Sequence, residues 1–187
     1  MENKRFLTVP NILSVARIIM VPFFIMFYIL GYTKISFILF IISGITDVLD
    51  GFIARKFNQI SDIGKVLDPL ADKVTMLSVL ACLYSNGFIN IFIFIFIAAK
   101  EIFQIIGGTF LWKKKIVVSS NFWGKMTTVL LYAGIISIFI WPKQIIGNIL
   151  LFIAILFAGI AVVQYTIKNK KIYNEKKKEN AWKNNYY

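Results

Sequence analysis

The chain has 187 residues, a net charge of +12, 58% hydrophobic residues and a mean hydropathy of +0.74. That apolarity exceeds what a small soluble core consumes and points to a membrane-embedded protein. A single cysteine, Cys82, and no histidine exclude a disulfide framework, Cys- or His-built metal sites and Ser-His-Asp chemistry.

Six apolar runs follow in chain order: 9–31, 35–54, 65–84, 88–112, 122–141 and 145–167. Each is long enough to be expected as a membrane-crossing helix. The first has a short basic flank, MENKR, but no small-residue cleavage site follows it, so it is expected to stay as a helix rather than be removed as a signal. Ser85-Asn86-Gly87 predicts a turn. The strict alternation of a β-barrel is absent. The predicted class is therefore all-α: a polytopic membrane protein with a six-transmembrane-helix bundle at 1–168, followed by a Lys-rich tail at 169–187 that is either a solvated helix or disordered.

Six spans put both termini on one side, together with the segments after the second and fourth runs. Those segments hold Lys4, Arg5, Arg55, Lys56, Lys65, Lys113 to Lys115 and the tail lysines, whereas the opposite ones hold Lys34 and Lys143. The positive-inside bias then predicts cytoplasmic termini in a multi-pass cell-membrane protein. On this reading the positive charge marks topology and meets lipid headgroups, and no nucleic-acid partner is expected.

The acidic residues are gathered rather than spread. Asp47 and Asp50 lie three apart near the end of the second run, and Asp68 and Asp72 lie four apart near the start of the third. Each pair shares a helix face. With a short connection between the runs, the two helices are expected to be antiparallel neighbours that present their carboxylates to one another. Such a crowd repels itself unless cations or protons neutralise it. Carboxylate-only ligands favour hard divalent ions, Mg²⁺ or Mn²⁺, and a pair of such ions is a common device for phosphoryl transfer. Helix-end solubility is the alternative for any one aspartate; a transporter cation site would instead scatter acids over several spans near mid-membrane. Gly51 and Ala54 leave room for a ligand or for close helix packing. Arg55 offers a fork for phosphate oxygens, and Ser61 a hydroxyl.

The complete spacing, Asp47-x2-Asp50-Gly51-x2-Ala54-Arg55-x8-Gly64-x3-Asp68-x3-Asp72, resembles the signature of the CDP-alcohol phosphotransferase family at every fixed position. The resemblance implies metal binding by Asp47, Asp50, Asp68 and Asp72, with two Mg²⁺ or Mn²⁺ ions, and makes Asp72 the general base toward an acceptor hydroxyl. It assigns Asn11, Gly51, Ala54, Arg55, Ser61 and Gly64 to the CDP moiety of a CDP-diacylglycerol donor. It implies a bilayer-bound alcohol phosphatidyltransferase, commonly a homodimer, with its active site at the cytoplasmic face.

The opening TVPNILSVAR (Thr8 to Arg17) and GKVLDPLADK (Gly64 to Lys73) resemble phosphatidylglycerophosphate synthases and also cardiolipin synthases of the CDP-alcohol type. SSNFWGKMTT resembles the G-K-x-K-T segment of the former, with Thr127 where the second Lys is usual; AAKE resembles their A-R-E, with Lys100 for Arg, and Gly108 stands at a later Arg position. The implied acceptor is glycerol 3-phosphate, met by Arg17, Lys100 and Lys125, with phosphatidylglycerol as the alternative acceptor. Lys113 to Lys115 either add charge there or mark topology, and Lys100 with Glu101 either meets ligand or forms an ion pair within the bundle.

Overall fold

The computed structural model describes 8–57, 64–113, 122–141 and 145–186, with side chains left out at 55, 65–66, 108–113, 168, 169, 171 and 173–186. Every regular element among them is an α-helix: α1 (Val9–Ile29), α2 (Thr33–Lys56), α3 (Gly64–Ser85), α4 (Ile91–Lys113), α5 (Phe122–Ile140) and α6 (Ile145–Tyr186). These six coincide with the six apolar runs to within a few residues, apart from the extension of α6. The chain forms two compact units, Met1–Phe94 and Ile95–Tyr187.

In the first unit α1 is the central helix. It packs broadly on both α2 and α3, which touch each other only narrowly. The expected neighbours α2 and α3 therefore meet narrowly, and their carboxylates come together at the start of α1, where Asp50 and Asp68 both lie within reach of Ser14. Thr8 caps α1 by accepting the Asn11 backbone N–H at 3.4 Å, and Pro10 falls in the first turn, where its missing N–H removes no bond. At the other end Gly31, with φ +83°, donates to the Tyr28 carbonyl, and Tyr32 donates to the Phe27 carbonyl. This paired cap needs a left-handed residue that glycine supplies without strain. The predicted turn after α3 repeats it: Gly87 has φ +73°, Gly87 donates to Tyr84 and Phe88 to Leu83.

The first unit carries polar groups inside and apolar groups outside. The buried stripe of α1 runs through Asn11, Ser14, Arg17, Val21, Phe24 and Tyr28, while Ile12, Ile19, Phe23 and Met26 are exposed. Apolar side chains facing outward suit hydrocarbon as solvent, and helix association there relies on packing and polar contacts rather than on apolar burial. The inward stripe of α2 continues from Ser36, Phe40 and Ser43 to Asp47 and Asp50 at steps of three and four. That period brings the aspartates onto the face that meets α1.

In the second unit α5 and α6 pack closely. Their crossing is built on glycines: a Cβ on Gly147 would sit 2.8 Å from the Gly134 carbonyl oxygen and closer still to the Ile138 side chain, and one on Gly134 would sit 2.9 Å from Leu151. Ala154, Ala158 and Ala161 extend the small-residue stripe along α6, all buried. The α6 helix continues unbroken through the Lys-rich segment to Tyr186, 42 residues in all, or about 63 Å, about twice a hydrocarbon core. The helical alternative for the tail is the one realised.

Four helical stretches among the described residues are long and apolar enough to cross a bilayer: Val9–Ile29, Thr33–Ala54, Phe122–Ile140 and Ile145–Ile167. Of the remaining two helices, both expected as spans, α3 falls short for a visible reason. α3 concentrates Lys65, Asp68, Asp72 and Lys73 in its first half, and its apolar remainder reaches only about 18 Å. α4 holds the buried Lys100–Glu101 pair near the middle of an otherwise apolar helix, and its side chains are described only as far as 107.

Candidate active site

The motif residues of the first unit meet at the ends of three helices. α1 begins there, α2 ends there and α3 begins there. From α1, Arg17 forks between two carboxylates of α2: Nη1 donates to Asp47 and Nη2 to Asp50. One turn earlier, the Ser14 hydroxyl lies within bonding range of the Pro10 carbonyl (3.1 Å), the Asp68 carboxylate of α3, and more distantly Asp50 (3.5 Å). Three aspartates from two helices are thus tied together through a third.

Burial sharpens the electrostatics. Arg17 is 1% exposed and Asp50 2% exposed, while the Asp47 side chain remains 39% exposed. Taking ions from water is costly unless they are paired, and among the described residues Arg17 and Ser14 are the side chains bonded to these three aspartates. Three ionised carboxylates against one guanidinium leave an excess of negative charge. The donor set is all oxygen, which suits Mg²⁺ or Mn²⁺. No group of three or more acidic side chains among the described residues is arranged to share one ion. The donor chemistry and the charge excess fit a divalent ion, and the Arg17 fork holds one oxygen of each of two of these carboxylates.

The other expected site residues lie as follows. Asp72 is half-buried on α3, one turn after Asp68. Asn11 is buried on the first turn of α1, Gly64 is buried as the first residue of α3, and Gly51 and Ala54 are half-buried on the last turns of α2. Arg55 belongs to α2, but its side chain lies outside the described residues, as do Ser61 and Asp62 entirely. In the second unit, Lys100 and Glu101 are both buried and bonded to one another at 2.5 Å, so the pairing alternative is met. Lys125 is exposed on α5, and Lys114 and Lys115 lie outside the described residues. Thr127, standing at the usual Lys position, is buried and donates to the Trp123 carbonyl at 2.9 Å, a satisfied core hydroxyl.

Sequence reading passes over Ser14, and it places Arg17 at an acceptor. A signal for both is present: Asn11, Ser14 and Arg17 recur every three residues in an otherwise apolar helix. Polar groups in such a stripe, on a helix facing lipid elsewhere, belong to the inward face.

Comparison with known proteins follows the same residues. The family model described as CDP-alcohol phosphatidyltransferase matches 7–161. The CDP-diacylglycerol–glycerol-3-phosphate 3-phosphatidyltransferase of Aquifex aeolicus is 36% identical over 178 residues, covering 90% of this chain and 100% of that protein. The protein of the same description from Haemophilus influenzae is 33% identical, covering 84% and 90%. A cardiolipin synthase (CMP-forming)/mitochondrial hydrolase fusion protein of Schizosaccharomyces pombe is 43% identical over 81 residues, covering 43% of this chain and 14% of that protein. With the aspartate spacing, the all-α membrane fold and a family match across most of its length, the chain belongs to the CDP-alcohol phosphatidyltransferase family.

Proposed function

We propose that the chain transfers the phosphatidyl group of CDP-diacylglycerol to glycerol 3-phosphate, releasing CMP and forming phosphatidylglycerophosphate. The observation that carries this reading is the full-length similarity to proteins described as acting on glycerol 3-phosphate, joined to the convergence of Asp47, Asp50 and Asp68 on α1. The shorter but more identical match to a cardiolipin synthase favours phosphatidylglycerol as the second candidate acceptor.

Asp47, Asp50, Asp68 and Asp72 would hold Mg²⁺ or Mn²⁺. When bound, the ion offsets charge on the donor's pyrophosphate. Gly51 and Ala54 lack bulk where the nucleotide approaches α2, and Asn11, Arg55, Ser61 and Gly64 supply or border its polar contacts. Asp72 takes the proton from the acceptor hydroxyl. The freed oxygen bonds to the phosphorus carrying diacylglycerol, the bond from that phosphorus to the bridging oxygen breaks, and CMP leaves with the electron pair. Asp72 needs only hydrogen-bond reach of the hydroxyl for this role. Arg17, Lys100 and Lys125 are the candidate cations toward the acceptor.

Six crossings, including α3 and α4, would put this site and both termini in the cytoplasm, where the basic segments gather. The donor's head then meets the aspartates while its acyl chains remain in lipid. The test is product identification: purified protein with CDP-diacylglycerol, Mn²⁺ and either acceptor. Phosphatidylglycerophosphate from glycerol 3-phosphate is the expected lipid. Cardiolipin from phosphatidylglycerol, with no product from glycerol 3-phosphate, would transfer the assignment to the second acceptor.

A further inference from the structure

Arg17 occupies an unusual place for a positive group: 1% exposed on the inward face of α1, with one Nη on Asp47 and the other on Asp50. One oxygen of each carboxylate is held by the fork, and these are two of the carboxylates a divalent ion would need. A buried guanidinium between these carboxylates offsets the charge that would draw a cation and repels one at close range, so the two compete. The Arg17 Nε supports an arrangement that can be given up. It is buried and has no hydrogen-bond partner among the described residues, and the fork itself uses two of the guanidinium's five N–H donors. Arg17 also lines a small cavity of about 10 Å³, room for about one water, whose wall is mainly apolar (Val21, Phe24 and Phe40 among its residues) with Ser43 and Thr75 at its edge. Ser14, by contrast, holds Asp68 through a neutral hydroxyl and can remain in place when an ion joins that carboxylate.

We propose that Arg17 is a built-in counter-ion: it holds the carboxylates of α2 in register until a divalent ion arrives, and it sets the metal affinity by having to release them. The proposal rests on the divalent-ion reading above. Its physical content is a competition. The fraction of molecules with the fork open divides the intrinsic metal affinity, so a fork closed most of the time weakens apparent binding by the same factor. Removing the competitor must therefore tighten metal binding even though it removes a structural contact, which is opposite in sign to the loss expected of a residue that merely builds the site.

The test is Mn²⁺ binding, followed by electron paramagnetic resonance on the full chain in detergent without nucleotide, for wild type, Arg17→Met and Arg17→Lys. Arg17→Met should bind Mn²⁺ about tenfold more tightly or better, while its metal-free form melts at a lower temperature and recovers more on Mn²⁺ addition than wild type does. Arg17→Lys keeps the charge but cannot fork between both carboxylates. It should therefore bind more tightly than wild type and less tightly than Arg17→Met; equality with wild type would reduce the effect to net charge and overturn the competition. Unchanged or weaker Mn²⁺ binding in a folded Arg17→Met protein would overturn it as well, with the divalent-ion reading left standing. Absence of Mn²⁺ binding in wild type and in both folded variants would instead overturn the divalent-ion reading and this proposal with it. If Arg17→Met does not fold, the comparison of Arg17→Lys with wild type decides alone.

Discussion

Asp72 and Ser14 illustrate two kinds of single-residue consequence. As the proposed base, Asp72 loses its function on conversion to Asn, which keeps the shape but cannot accept the proton at neutral pH. CMP release by Asp72→Asn should fall by about 10²–10⁴-fold, with thermal stability near that of wild type; wild-type turnover would remove the assignment. Ser14 is fully buried and bonds Asp68. Ser14→Ala should lower unfolding stability by about 1–3 kcal/mol, because the carboxylate loses a buried donor, measurable as a shifted denaturation midpoint. The aspartates are legible in the sequence because four acids at matched helical spacing beside lipid are too costly to be carried without a use. Ser14 is not, since one hydroxyl in an apolar helix looks like ordinary packing. Arg17 is visible as a charge, but the anion it meets depends on which helix lies opposite, and that is a tertiary fact.

Helices and their turns are largely readable, and their neighbours are not. Apolar run length predicts a helix, and Gly31 and Gly87 mark the turns because the paired caps require positive φ there. The partner of each helix follows from its polar side chains: Ser14 and Arg17 tie the first turns of α1 to α2 and α3. The glycines of the second unit carry a prediction of their own. Gly147→Ala would thrust a methyl against the Gly134 carbonyl and Ile138, so α5 and α6 must part. A loss of about 1–3 kcal/mol should appear as a lower melting temperature in detergent. Gly124→Ala, with nothing within 4 Å of its added Cβ, should leave the melting temperature unchanged or raise it.

Across the whole molecule, composition is enough for an all-α membrane protein, and charge asymmetry is enough for a proposed orientation. The charges of α3 are what composition obscures: averaged along the run they vanish, yet they set where the helix can sit in a bilayer. Orientation is open to labelling. The free cysteine, Cys82, is buried, so introduced cysteines should report cleanly. In intact cells a membrane-impermeant maleimide should label Lys34→Cys and Lys143→Cys, whereas Lys176→Cys in the Lys-rich end of α6 should label only after permeabilisation; the reverse pattern would invert the topology. The most direct test of the proposed reaction is CMP release by purified protein given CDP-diacylglycerol, glycerol 3-phosphate and Mn²⁺. CMP and phosphatidylglycerophosphate in equal amounts, abolished by EDTA and by Asp50→Asn, is the expected result; no CMP release from a folded, metal-supplied protein, or undiminished release by Asp50→Asn, would contradict it.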